Sequence, residues 1–195
     1  MRSRTIPTCV LAASLTAALP LAGAQTVHRI EPDSGIESWE TDTQGVSLRL
    51  AQILPDQVRG FYRARGFDAE SVEFLAADAC VFQTVLRNES AKSAIEFNLA
   101  DWRIVTAKGE RPLKLDPDWQ KEWEKRGVPL SARTAFRYAL YPTEHRYDIG
   151  DWNMGMTTYA LPLGSRFDLR FVWREGGQRR AAVLSGVRCA TEAPP

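Results

Sequence analysis

Histidine and cysteine are scarce in this sequence, and their scarcity excludes several classes of catalytic site. The 195 residues include two histidines and three cysteines. A metal hydrolase centre that needs several imidazole ligands cannot be assembled from His28 and His145 alone. The GxSxG nucleophile motif, the HExxH zinc motif, the glycine-rich phosphate loop and the papain-type cysteine motif are also missing. The common hydrolase chemistries therefore have no recognisable sequence basis here.

The chain also has no large excess of positive or negative charge. The chain has 25 basic and 24 acidic residues, or 23 basic against 24 acidic once residues 1–24 are left out. Such a balance gives no electrostatic reason to expect a nucleic acid or an anionic membrane as a partner. A hydrophobic fraction of 44% with 25% charged residues is typical of a globular domain.

The chain also lacks an apolar run long enough to span a bilayer comfortably, and its first 24 residues predict a cleaved signal peptide instead. Arg2 and Arg4 precede a short apolar stretch, and small residues lead to a predicted cleavage between Ala24 and Gln25. We therefore expect a protein of the bacterial periplasm, or a secreted one, with no stable membrane anchor. Residues 25–45 are polar and rich in turn formers, which predicts an extended lead-in to a single domain over residues 46–195.

Removal of the signal segment would leave two cysteines, Cys80 and Cys189. An even pair in an oxidising compartment predicts one disulfide bond. The alternative is a redox pair or a pair of thiolate metal ligands, but no CxxC motif accompanies them.

Alternation of apolar and polar residues predicts most of the strands. The pattern is clear from Val46 and from Cys80, and Glu175-Gly176-Gly177-Gln178 predicts a hairpin between two long strands. Helices are predicted near Val58–Gly66, Asp68–Ala77 and Asp116–Gly127, and we interpret Ala132–Tyr141 as a further strand. The fold class expected from this order is mainly β: an antiparallel β-sandwich, immunoglobulin-like in outline, with short helical insertions and one disulfide.

The most unusual segment is 141–156, which holds His145 and both methionines other than the initiator, Met154 and Met156. Thioether sulfur and imidazole are suitable ligands for Cu(I), which prefers soft donors. In its ligand types the segment resembles periplasmic copper chaperones built on β-sandwiches, although it lacks the second His-x-Met arm of such proteins. The resemblance implies a Cu(I) site at His145, Met154 and Met156.

Three other interpretations remain open at this point. Met154 and Met156 can simply fill a gap in the core beside Gly155, a residue that marks a bulge or a close backbone approach. The protein can act as an interaction module through aromatic and arginine side chains, with an envelope protein as partner. Finally, a hydrolase-like enzyme could use a polar cluster of acid and base groups, namely Glu144, His145, Asp148 and Asp151.

Overall fold

The computed structural model describes residues 25–192, which form two antiparallel sheets and four short helices. The predicted signal segment, up to and including Ala24, lies outside the described residues. The strands are β1 (Thr26–Ile30), β2 (Glu37–Thr43), β3 (Val46–Ile53), β4 (Cys80–Asn88), β5 (Ile95–Asn98), β6 (Arg103–Thr106), β7 (Gly109–Pro112), β8 (Glu144–Tyr147), β9 (Trp152–Tyr159), β10 (Arg166–Glu175) and β11 (Gln178–Arg188). The helices are α1 (Pro55–Arg63), α2 (Ala69–Asp78), α3 (Asp116–Lys125) and α4 (Leu130–Ala139), and a single 3-10 turn covers Leu99–Asp101.

Sheet A has the strand order β1-β2-β3-β4-β9, and sheet B has the order β7-β6-β10-β5-β8 with β11 paired to the other edge of β10. Strand β10 organises sheet B, because β6 pairs with its first half and β5 pairs with its second half. The 3-10 turn connects β5 to β6 and lies beside β10. Strands β5 and β6 therefore meet at this turn along one edge of β10.

One buried cluster contains side chains from both sheets, including Leu48 and Phe82 from sheet A and Phe171 and Trp173 from sheet B. Phe82 meets Phe167 edge to face at 6.0 Å, which brings the two sheets into direct contact. The predicted disulfide Cys80–Cys189 is present, with its Cα atoms 5.3 Å apart, and it joins the start of β4 to the residue after β11. The predicted hairpin at Glu175–Gln178 is confirmed.

A second buried cluster holds all four helices against one face of sheet A. Its sheet residues are Val81, Ile53 and Met156, each from a different strand. Trp119 and Trp123 share a face of α3 as their spacing predicts, and the indole N–H of Trp119 donates to Thr158 Oγ1 at 2.6 Å. The tryptophan pair therefore docks the helices on the sheet.

The prediction of a strand over Ala132–Tyr141 is wrong, because this segment forms helix α4 and its flanking residues. Strand alternation would place Phe136 and Tyr138 on the same face. In the structure Phe136 is fully buried while Tyr138 is 85% exposed. Ala132 and Phe136, four residues apart, instead share the buried face of the helix. Small Ala and long Arg side chains suit either structure, and packing against α3 decides for the helix.

The prediction of an unpacked lead-in over residues 25–45 also needs correction, since this segment supplies β1 and β2. Trp39 is buried between its neighbours, and the buried Glu37 carboxylate pairs with Arg188 and with His28 Nε2. The polar composition concealed these strands because buried polar side chains that have partners do not produce an apolar pattern.

Candidate functional site

Sheet B exposes a charged face on the side away from the shared core. Paired residues on neighbouring strands share a face, and the register places Arg179, Arg174, Glu96 and Arg146 in one row across β11, β10, β5 and β8. All four side chains are exposed. Neither buried cluster of residues 25–192 includes a helix residue packed on this face. The row therefore lies on an uncovered sheet surface.

A groove with a volume of about 460 Å³ lies on this face beside the 3-10 turn. We call it the sheet-B groove. Phe97, Val172 and Trp173, whose side chains are buried, form its floor. Its polar lining residues are Glu96, Asn98, Asp101, Glu144, His145, Arg146 and Arg174. Its volume is within the range typical of small-molecule sites.

The charges of the sheet-B groove are separated into two ends. At one end Arg146 donates to Glu96 and Asp148, each at 3.3 Å, while Arg174 has no ion-pair partner among the described residues. At the other end Glu144 accepts a hydrogen bond from the Asn98 amide at 3.0 Å. Asp101, on the 3-10 turn, has no cationic partner among residues 25–192. Among the described residues, an arginine without an ion-pair partner thus lies at one end, and two carboxylates without one, Glu144 and Asp101, lie at the other.

A smaller cavity of about 180 Å³ continues the groove beyond its basic end. It shares Glu96, Arg146 and Arg174 with the groove and reaches the hairpin at Gly176 and Gly177. Both glycines have positive φ, 55° and 80°, as the two central residues of a type I′ hairpin turn require. The basic end of the groove is therefore extended toward backbone amides of a tight turn.

The three residues predicted to bind Cu(I) occupy two different sheets. Met154 and Met156 lie two apart on β9 and hence on one face of sheet A. Met154 is half exposed, whereas the sulfur of Met156 accepts a hydrogen bond from the Tyr62 hydroxyl at 3.3 Å and packs beside the helices. His145 lies on β8 of sheet B, with its ring 4.9 Å from the ring of Tyr147. The structure places Met154 and Met156 on one face of β9 and His145 on the other sheet.

The predicted acid and base cluster is divided between the groove and a turn. Glu144 and His145 line the sheet-B groove. Asp151 instead accepts a hydrogen bond from the backbone N–H of Asp148 at 3.0 Å, which stabilises the turn between β8 and β9. Two of the four residues therefore line the groove.

Two buried tyrosines hold β8 against residues 140 and 141, which directly follow α4. The hydroxyl groups of Tyr141 and Tyr147 are 2.8 Å apart. Burial, and next the hydrogen bond with Tyr147, raise the pKa of Tyr141 well above the ordinary tyrosine value. Burial likewise raises the pKa of Tyr147. These hydroxyls stay protonated at neutral pH and act as a structural pair behind the groove.

Sequence reasoning missed Arg174 and Asp101 as site residues. The alternation of β10 places Arg174 on its outer face, so exposure of that arginine was accessible from the sequence. Its position opposite Asp101 depends on the pairing of β10 with β5, two strands that are distant in the chain.

Five of the six tryptophans are buried, and Trp152 alone is exposed, with Arg87 over its ring at 4.6 Å.

Comparison with known proteins found no matching family model, curated protein or solved structure. Over residues 25–192, no group of three or more His, Cys, Asp or Glu side chains is arranged to hold a metal ion. Within the same residues no helix is long and apolar enough to cross a membrane.

Proposed function

We propose that this chain is an exported binding or accessory protein of the bacterial cell envelope, and that it binds its ligand in the sheet-B groove. The observation that carries the proposal is the groove itself, a cavity of about 460 Å³ on an uncovered sheet face. Unpaired charges in a concave site are available to a ligand without first breaking an internal ion pair. Arg174 and Asp101 meet this condition.

The predicted signal peptide and the disulfide support the exported location, since disulfides persist in oxidising compartments. The two sheets share one core, which supports classifying the domain as an antiparallel sandwich, immunoglobulin-like in outline. In such a domain the exposed face of one sheet is a natural binding surface.

The experiment tests whether the groove responds to molecules from its own compartment. Low-molecular-mass fractions of a bacterial envelope extract are added to the purified protein, and thermal unfolding is recorded. A ligand present at about 100 times its Kd stabilises a protein by about 2.7 kcal/mol, or roughly 5–10 °C in Tm for a chain of this size.

Two variants decide where such a ligand binds. Arg174→Gln should lose most of the Tm increase, and Arg63→Gln, an exposed arginine on α1, should keep it. The proposal is wrong if no fraction raises the Tm of the wild-type protein, or if Arg174→Gln responds as the wild type does.

A second candidate function is binding of Cu(I) at Met154 and Met156. It is favoured by their placement on one face of β9, two residues apart, which lets both sulfurs approach one ion. His145, the third residue of the hypothesis, would have to reach this ion from β8. A competition titration, described in the Discussion, tests this candidate separately from the groove.

A further inference from the structure

We infer that the ligand of the sheet-B groove is a short peptide with free ends, whose carboxylate binds Arg174 and whose amine binds Asp101. This inference rests on the proposed function, because it names the class of molecule that the groove would bind. It is carried by the polarity of the groove: among the described residues, an arginine without an ion-pair partner at one end and a carboxylate without one at the other.

The basic end suits a carboxylate better than it suits a cation. Arg146 is already engaged by Glu96 and Asp148, so its charge is largely balanced. Arg174 has Arg179 beside it on β11 and Glu96 beside it on β5. A guanidinium without a carboxylate partner binds a carboxylate through paired N–H donors. The ligand atom at this end is thus expected to be an anionic oxygen.

The acidic end suits an ammonium group. Glu144 and Asp101 both line it, and the only hydrogen-bond donor that the described residues aim at either carboxylate is the Asn98 amide. An amide leaves the negative charge of Glu144 unbalanced. Asp101 projects from the 3-10 turn and is exposed. A primary amine can donate to both carboxylates at once.

The spacing of the two ends fits a chain of two or three residues. Glu144 and Arg146 lie two apart on β8, as Asn98 and Glu96 do on β5, and two residues of a strand span about 7 Å. Asp101 lies beyond Asn98, which lengthens the distance further. An extended peptide covers about 3.3–3.6 Å per residue, so a tripeptide reaches about 10 Å. The amine and the carboxylate of such a peptide can therefore meet both ends.

The floor of the groove agrees with a peptide rather than with a simple anion. Between the two charged ends its floor is formed at Phe97, Val172 and Trp173, which carry no charge and whose side chains are buried. A small inorganic anion would use the basic end alone and leave this surface and Asp101 without a role.

The experiment uses trialanine with free ends, its C-terminal amide and its N-acetyl form, each titrated into the purified protein by calorimetry. Loss of the carboxylate should weaken binding to the wild-type protein about tenfold, since a charge-assisted hydrogen bond is lost. Acetylation should weaken it to a similar degree. Arg174→Gln should bind the acid and the amide equally. Asp101→Asn, which leaves Glu144 in place, should reduce the effect of acetylation.

The control is Arg63→Gln, which should keep both differences. The inference is overturned if trialanine does not bind at millimolar concentration, or if the wild-type protein binds acid and amide alike. It is also overturned if inorganic phosphate competes fully and acetylation has no effect, because the groove is then an anion site. Should trialanine fail while an envelope fraction still raises Tm through Arg174, the peptide is wrong and the proposed function stands. Should both fail, both are wrong.

Discussion

Substituting alanine for Gly155 should destabilise the protein strongly, because the backbone crosses β9 at this residue without room for a side chain. A Cβ atom built at Gly155 would lie 2.6 Å from the Cα atom and 2.7 Å from the nitrogen of Tyr141. Both are backbone atoms, so no side-chain rotation relieves the contact. The crossing segment must move away from the strand.

The magnitude follows from what that movement breaks. Overpacking of a rigid site costs about 1–3 kcal/mol. The backbone N–H of Tyr141, which donates to the Met156 carbonyl at 2.7 Å, would lose its buried acceptor at a further cost of about 1–3 kcal/mol. We therefore expect Gly155→Ala to lower the free energy of unfolding by about 2–6 kcal/mol.

The assay is equilibrium unfolding in urea, with Gly60→Ala as the matched control. Gly60 lies in α1, and outside that helix no atom lies within 4 Å of the methyl group that alanine would add, so this change should stabilise the helix by about 0.5–1 kcal/mol. A second measurement follows Tyr141, whose pKa burial holds high: in Gly155→Ala more tyrosine should ionise near the ordinary value, seen by ultraviolet absorbance. A loss below about 1 kcal/mol for Gly155→Ala, or equal effects of the two changes, would refute the reasoning.

The remaining predictions concern the disulfide, a helix cap and the methionines. Replacing Cys80 and Cys189 together by alanine should cost about 2–5 kcal/mol, measured in urea, because the bond closes a sequence separation of 109 residues; equal stability of the variant would contradict this. Asp68 caps α2, and its pKa is lowered chiefly because its carboxylate accepts a hydrogen bond from the backbone N–H of Ser71. The stability that this cap provides should be present above the pKa of the unfolded chain, near 4, and be lost as pH falls through the lower pKa of the folded protein. Asp68→Ala should therefore cost about 1 kcal/mol at neutral pH and progressively less in acid. The Cu(I) hypothesis predicts that changing Met154 and Met156 to alanine abolishes tight Cu(I) binding in competition with a chelator; the same binding curve for wild type and double variant would eliminate it.

Strong local patterns were sufficient to predict much of the secondary structure. The β10–β11 hairpin combines long alternation with a turn that needs two positive φ values, so sequence and structure agree there. The close approach expected at Gly155 is confirmed. Helix α4 was missed because its buried residues, Ala132 and Phe136, fit both helical and strand spacing. Only its packing partners distinguish the two.

The candidate site was less accessible from sequence, because it is assembled by strand pairing. Glu144 and His145 were singled out from an unusual local segment, and they do line the groove. Arg174 lies about 30 residues further on, in a strand that was predicted well. Its place opposite Asp101 required knowledge that β10 lies between β5 and β6 on one edge and β11 on the other. Local periodicity contains no information on that order.

The placement of the four helices explains why the proposed binding surface lies on sheet B. Helices α1 and α2 follow a strand of sheet A, while α3 and α4 connect β7 to β8, two strands of sheet B. All four nevertheless pack on sheet A, where the stacked pair Trp119 and Trp123 joins them to one apolar cluster. Burying that cluster is favourable for folding alone. Among the described residues the outer face of sheet B has no such apolar cluster to bury, and its arginines and carboxylates remain in contact with solvent. Folding does not require this charged concave face to be covered, so its residues can be selected for binding a ligand. The unpaired Arg174 and Asp101 are the residues to test first.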